Sequence, residues 1–133
     1  MKKVRKKILV VDDDSQILDI VKVFLEQGGF EVILCRDGIT AIDELHAAHF
    51  DLIILDINMP VISGFKTLNR VRANPVTKHI PVIMLTINSS ATDVYKARKH
   101  NVTDFIIKPP VREDLLNRIE KAFNNFNKEF KSG

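Results

Sequence analysis

Five short apolar runs, each followed by a stretch in which apolar residues return every three or four positions, divide this chain into a repeated strand-and-helix rhythm. Lys7 to Val11 predicts the first strand. Ser15 offers a cap for the helix behind it, where Ile17, Leu18, Val21, Phe24 and Leu25 share one side, and Gly28 and Gly29 end that helix. Glu31 to Cys35 predicts the second strand, followed by a turn at Asp37 and Gly38 and a helix carrying Ile39, Ile42, Leu45 and Ala48. The third strand, Leu52 to Leu55, has no polar residue, as a strand covered by helices on both faces requires, and this places it centrally. Beyond a loop with Pro60 and Gly64, a helix is predicted near Phe65 to Arg72, then a connection through Asn74 and Pro75 and a fourth strand from Pro81 to Leu85. Ala91 to His100 predicts a more polar fourth helix with Asn101 as its left-handed cap. Asp104 to Ile107 predicts the fifth strand, and Leu115, Leu116, Ile119, Ala122, Phe123 and Phe126 mark a last helix. The alternation predicts an α/β fold built on a parallel sheet.

Composition narrows the class. The 133 residues suit one domain, read as a basic N-terminal extension over 1–6, a folded unit over 7–127 and a polar tail over 128–133. No apolar run approaches the roughly 20 residues of a membrane span, and Asp12, Asp13 and Asp14 interrupt the apolar stretch behind the basic start, which argues against export and for a cytoplasmic location. Cys35 is alone and sits in an apolar strand, so it is read as a small buried core residue. Much of the net charge of +3 lies in Lys2 to Lys7 and Lys128 to Lys131, solvated ends rather than a nucleic-acid surface. No repeat, low-complexity tract, Gly/Ser-rich linker or helix-turn-helix is visible, and no second domain is expected after the last helix.

The chemistry lies at the strand ends. In an open parallel sheet ligands bind at the carboxyl ends of the strands, where the strand order reverses. The first strand ends at Asp12 and Asp13, the third at Asp56, the fourth at Thr86 and the fifth at Lys108. Carboxylates brought together raise one another's pKa and need a cation to stay ionised; magnesium, with manganese as the alternative, suits an all-oxygen set. Lys108 adds a fixed positive charge and Thr86 a neutral donor, so the set accommodates an anion as well as a metal. A cation, an ammonium and a hydroxyl around one carboxylate allow it to attack phosphorus, which makes Asp56 the nucleophile.

These residues also carry a family resemblance. Ile8 to Asp14 (Ile-Leu-Val-Val-Asp-Asp-Asp), Leu55 to Pro60 (Leu-Asp-Ile-Asn-Met-Pro) with Gly64, Val82 to Thr86 (Val-Ile-Met-Leu-Thr) and Phe105 to Pro109 (Phe-Ile-Ile-Lys-Pro) resemble the motifs of response regulator receiver domains, over nearly the whole chain. Thirty residues separate Asp56 from Thr86 and 22 separate Thr86 from Lys108, as in that family. The resemblance implies a flavodoxin-like, doubly wound sheet of five parallel strands in the order 2-1-3-4-5 with five helices. It implies that Asp12, Asp13, Asp56 and the Asn58 main-chain carbonyl hold Mg2+. Asp56 would accept a phosphoryl group from a sensor histidine kinase or a histidine phosphotransfer protein, with Thr86 and Lys108 assisting. Thr86 and Phe105 would act as the switch, altering the face of the fourth helix, fifth strand and last helix toward a downstream effector or fused output domain. A homodimer formed on phosphorylation belongs to the same expectation, as does a cis bond between Lys108 and Pro109; direct nucleic-acid or membrane contact does not.

The chain departs from the family pattern at Ile87, where a small residue usually follows the threonine, and the bulk predicts slower reaction with small phosphodonors. Pro110, Ser63 and the run Asn101, Val102, Thr103 differ as well, outside the chemistry. Two other functions compete. A phosphorylation-independent interaction module would usually lose the acceptor, a metal carboxylate or the lysine, and all are present. A magnesium-dependent phosphohydrolase would carry a second acid two residues after its nucleophile, where this chain has Asn58. The receiver is thus expected to catalyse only its own phosphorylation and dephosphorylation. His46, His49, His79 and His100 show no metal-ligand spacing, and Phe123, Phe126 and Phe130 are read as a docking face.

Overall fold

The computed structural model describes residues 5–87, 99 and 101–132, with side chains of the last helix to residue 125. Five strands, β1 (Lys7–Val11), β2 (Glu31–Cys35), β3 (Leu52–Asp56), β4 (Val82–Thr86) and β5 (Asp104–Ile107), form one parallel sheet in the order β2-β1-β3-β4-β5. Helices α1 (Ser15–Gln27), α2 (Gly38–Ala47) and α3 (Gly64–Ala73) follow the first three strands, and a C-terminal helix spans Arg112–Ser132. This is the flavodoxin-like arrangement the sequence predicts, with four helices described against five expected. The helix expected over 91–100 lies, apart from residue 99, outside the described residues.

Strand side chains point alternately to the two faces, and both faces are buried. Ile8, Val10, Leu52, Ile54, Ile83, Leu85 and Ile106 pack under α1 and the C-terminal helix, against Leu18, Val21, Leu25, Leu115 and Ile119. Leu9, Val11, Ile53, Leu55, Val82 and Met84 pack on the other face against Ala41, Leu45, Leu68 and Val71 of α2 and α3. Every residue of β3 and β4 is buried, which explains the unbroken apolar run of the central strand.

Local boundaries refine several expectations. The cap of α1 is Asp14, whose carboxylate accepts the Gln16 N–H at 2.9 Å; Ser15 is the first helical residue. Gly28 caps the other end and Gly29 takes the left-handed conformation. In α2 it is Ala41 that joins Leu45 in the core, while Ile39 is exposed. Pro81 precedes β4, and Thr86 is its last residue. The C-terminal helix continues to Ser132 through residues expected to form a tail. Phe123 is half-buried, 6.1 Å from Phe30 and under the Lys6 ammonium, so it belongs to the packing of the domain and not to a free docking face. Phe126 and Phe130 lie outside the described side chains.

Candidate functional site

The strand order sets the location of the site. β2 and β3 lie on opposite sides of β1, so the chain leaves β1 and β3 in opposite directions and opens a crevice at their carboxyl ends. Asp12 follows β1 directly, its N–H held by the Cys35 carbonyl at 3.0 Å, and Asp56 is the last residue of β3. Thr86 and Lys108 reach the same end from β4 and β5, where the Lys108 N–H donates to the Thr86 carbonyl at 2.7 Å. Lys108 is joined to Pro109 by a cis peptide, as the resemblance implied.

Carboxylate oxygens of Asp12, Asp13 and Asp56 lie within 4.8 Å of one another. Asp12 and Asp56 are buried and Asp13 is exposed, so the cluster has a closed back and an open mouth. The Lys108 ammonium enters from the β5 side, 2.8 Å from Oδ2 of Asp12 and 3.1 Å from Oδ1 of Asp56. The Lys108–Asp56 contact is a hydrogen bond, whereas the shorter approach to Asp12 is not aligned as one, leaving Oδ2 of Asp12 buried without a hydrogen bond. The other Asp12 oxygen accepts the Asp14 N–H at 2.9 Å.

These charges do not balance. Three carboxylates against one ammonium leave an excess of two negative charges, which a divalent cation matches. Without one, burial first and the neighbouring Asp12 charge second push the Asp56 carboxyl up to about 6, against the opposing pull of Lys108 and the Asn58 main-chain N–H. Burial pulls the Lys108 ammonium down, but its contacts with Asp12 and Asp56 outweigh that and hold it above its ordinary value, so it stays charged at neutral pH. The Asp12 oxygen that lacks an aligned hydrogen bond, the exposed Asp13 and the all-oxygen donor set fit Mg2+, which prefers oxygen ligands and keeps several waters.

The loop after β3 is held tightly. A Cβ on Gly64 would lie 2.0 Å from the Asp56 carbonyl oxygen, so only glycine lets α3 start this close behind the acceptor strand. The Gly64 N–H donates to the Ile57 carbonyl at 2.7 Å, and the Ser63 hydroxyl, the helix cap, accepts the Lys66 N–H at 3.2 Å. Sequence reading marked Gly64 as a loop residue and gave Ser63 no role.

Thr86 is buried at the end of β4, and Phe105 is half-buried on the α2 and α3 side of the sheet. Asn58 and Ile87 are exposed, Ile87 at 70%. Cys35 is buried, its thiol pushed up to about 11 by burial and then by Glu44 and Asp37, which agrees with the core role predicted. His46, His49 and His79 are exposed, away from the acidic cluster.

A family model described as the response regulator receiver domain matches residues 8–120. The chain is 37% identical over 122 residues to the chemotaxis protein CheY of Pseudomonas aeruginosa, covering 91% of this chain and 98% of that one. Among solved structures, the chemotaxis response regulator CheY4 of Vibrio cholerae superimposes with a TM-score of 0.86 at 34% identity, covering 90% of this chain and 99% of that one. The receiver domain of the sensor histidine kinase PA1611 of Pseudomonas aeruginosa, described with magnesium coordinated in its active-site cleft, gives 0.84 at 26% identity and covers 91% and 99%.

Proposed function

This chain belongs to the response regulator receiver family, whose members are regulatory phosphoacceptors in two-component signalling, and from that premise we propose that Asp56 takes the phosphoryl group. The observation that carries the assignment is the convergence of three carboxylates and one ammonium on one crevice, with Asp56 alone both in the carboxylate cluster and hydrogen-bonded to Lys108. A carboxylate oxygen of Asp56 attacks the phosphorus of a phosphohistidine on a histidine kinase or phosphotransfer protein. The new P–O bond replaces the P–N bond, and the departing imidazole nitrogen takes a proton.

Lys108 neutralises charge on the oxygens of the transferred group, and Thr86 donates its hydroxyl to one of them. Asp12, Asp13, Asp56 and the Asn58 carbonyl would hold Mg2+, or Mn2+, and the relative with magnesium in its cleft supports that reading. The ion, when bound, offsets the negative charge that raises the Asp56 pKa and would repel the donor. Hydrolysis of the acyl phosphate by the same groups restores Asp56, so the domain catalyses only its own modification.

The output is altered binding. Thr86 and Phe105 act as the switch, shifting the face built from β5, the C-terminal helix and the segment between β4 and β5 toward an effector or output domain, or toward a second copy of the chain. Ile107 of β5 and Val111 just before the C-terminal helix are both exposed. Among the described residues no helix is long and apolar enough to cross a membrane, and a cytoplasmic setting without direct nucleic-acid contact suits a partner of histidine kinases.

The test is intact mass after incubation with Mg2+ and a phosphorylated kinase domain or acetyl phosphate, beside Asp56→Asn. A phosphoryl gain absent from the variant supports the switch. No gain with several donors returns the chain to a phosphorylation-independent interaction module. Gain with a kinase but not acetyl phosphate points to Ile87 restricting small donors.

A further inference from the structure

The acceptor crevice is not the one concavity among the described residues. A cavity of about 370 Å³ opens at the opposite end of the sheet, beneath the amino ends of β4 and β5, lined by Arg72, Lys78, His79, Asn101, Thr103 and Asn125 among others. At a rise of ~3.3 Å per residue along β4, it lies about 15 Å from the acceptor end. Its volume is within the range of small-molecule sites.

Its charge is one-sided. Among the described residues, Arg72 and Lys78 are the charged side chains that line it, with His79 beside them, and no carboxylate does. Arg72 is half-buried, and its guanidinium serves main-chain carbonyls: those of Lys78 at 3.0 Å and Ile80 at 2.7 Å from one terminal nitrogen, and that of Asn101 at 3.4 Å and 3.2 Å from Nε and the other. Among the described residues four of its five N–H groups are used, which leaves one, and no ion pair offsets its charge. Burial accordingly holds the Arg72 guanidinium below its ordinary pKa. Lys78 also forms no ion pair among the described residues. The Arg72 contacts by themselves describe a brace between α3, the turn before β4 and the start of β5. A brace needs neither the cavity nor a second unpaired cation at its rim.

We propose that this cavity is a binding site for an oxyanion, a phosphate or carboxylate group carried by a small molecule. Arg72 supplies a fixed, partly desolvated positive charge and its remaining N–H, and Lys78 closes over the group from the rim. The site is separate from Asp56 and does not depend on its phosphorylation.

The experiment is a two-dimensional amide NMR titration of the intact, metal-free chain at low salt, first with inorganic phosphate and then with citrate. Saturable shifts are expected at the amides of Lys78, His79, Val102 and Thr103, with Kd of ~1 mM for phosphate. Shifts around Asp56 and Lys108 would form a separate set, since an anion also meets Lys108. Arg72→Ala would leave three carbonyls unserved and risks unfolding, so the discriminating variant is Lys78→Glu, at an exposed position. It should weaken the first set about tenfold while leaving the second set and Mg2+-dependent phosphorylation unchanged. Saturation by citrate but not phosphate would assign the carboxylate source. Absent or non-saturating shifts at this end with both anions, or a first set unmoved by Lys78→Glu, would overturn the proposal.

Discussion

The Lys108 ammonium donates to Oδ1 of Asp56 at 3.1 Å across 52 residues of sequence, and only 12% of the lysine side chain is exposed. It is the one cation of the crevice among the described residues, facing Asp12 as well at 2.8 Å. Lys108→Ala should therefore act on both stability and chemistry. Leaving two buried carboxylates without their cation costs about 2 kcal/mol in metal-free buffer, below the full value for a buried pair because the crevice opens to water. Phosphorylation of Asp56 should slow by roughly 100-fold or more, the usual effect of deleting a preorganised electrostatic donor. Urea unfolding in EDTA and time-resolved intact mass in Mg2+ separate the two effects.

The raised Asp56 pKa predicts a pH dependence of the metal-free fold. The folded value, about 6, lies above the unfolded value near 3.8. Between them the native state binds more protons than the unfolded one, so this group's contribution to stability falls as pH rises through the window. Above pH 6 the ionised Asp56 should destabilise the fold by on the order of 1 kcal/mol relative to Asp56→Asn. The difference between the two proteins should close as pH drops toward 4. Saturating Mg2+ should also close it at pH 7, because the ion compensates the charge. A gap that stayed constant across pH 4 to 8 in EDTA would contradict this account.

Much of this is legible in the amino-acid sequence, and the exceptions have physical causes. Lys7 to Val11 and Glu31 to Cys35 were read to the residue, because apolar strands bounded by charged or glycine-rich turns leave little choice of register. The cap of α1 was misplaced by one position because Asp14 and Ser15 both carry a side-chain oxygen, and the extended backbone that puts Asp14 outside the helix is not written in residue type. The apolar spacing puts Ile39 on the buried face, but the close approach of Gly38 to Ile62 and Thr67 goes with an α2 in which Ala41 and Leu45 face inward. At the site, residue types and strand-end positions identified Asp12, Asp56 and Lys108. They did not reveal that Lys108 hydrogen-bonds Asp56 while it meets Oδ2 of Asp12 only as an ion pair. Arg72 figures in the sequence only as the end of a helix, since its partners are main-chain carbonyls up to 29 residues away, which leave no trace in sequence.

Gly64 should tolerate no side chain. An added Cβ meets the Asp56–Ile57 peptide, the Asp56 carbonyl oxygen at 2.0 Å, its carbon at 2.9 Å and the Ile57 Cα at 2.9 Å, and none of these can rotate away. Gly64→Ala should cost about 3 kcal/mol, at the upper end for overpacking, by forcing α3 away from the end of β3. The same displacement moves the loop carrying Asn58, so Mg2+ affinity should fall in the folded fraction. Thermal unfolding with and without Mg2+ reads both effects. A loss of stability with metal affinity intact would mean that the helix yields and the loop does not.

Val61 gives the opposite case, a position where replacement should help. Its φ of 71° places a β-branched residue in the left-handed region, while its side chain is 87% exposed and gains little from burial. The conformation costs roughly 1–2 kcal/mol for such a residue, whereas asparagine adopts it with less penalty. Val61→Asn should therefore raise the unfolding free energy by about 1 kcal/mol. The preceding Pro60 and the Ile62 N–H, which donates to the Pro60 carbonyl at 2.9 Å, should hold the loop in the same path. Equilibrium urea unfolding of the two proteins is sufficient, because a two-state domain of this size resolves a shift of that magnitude in the midpoint. An unchanged or lowered midpoint would mean that Val61 is not strained or that its exposed side chain packs where the fold alone does not show it. A raised midpoint with slower phosphotransfer from a kinase, but not from acetyl phosphate, would place Val61 in the surface that receives the donor protein.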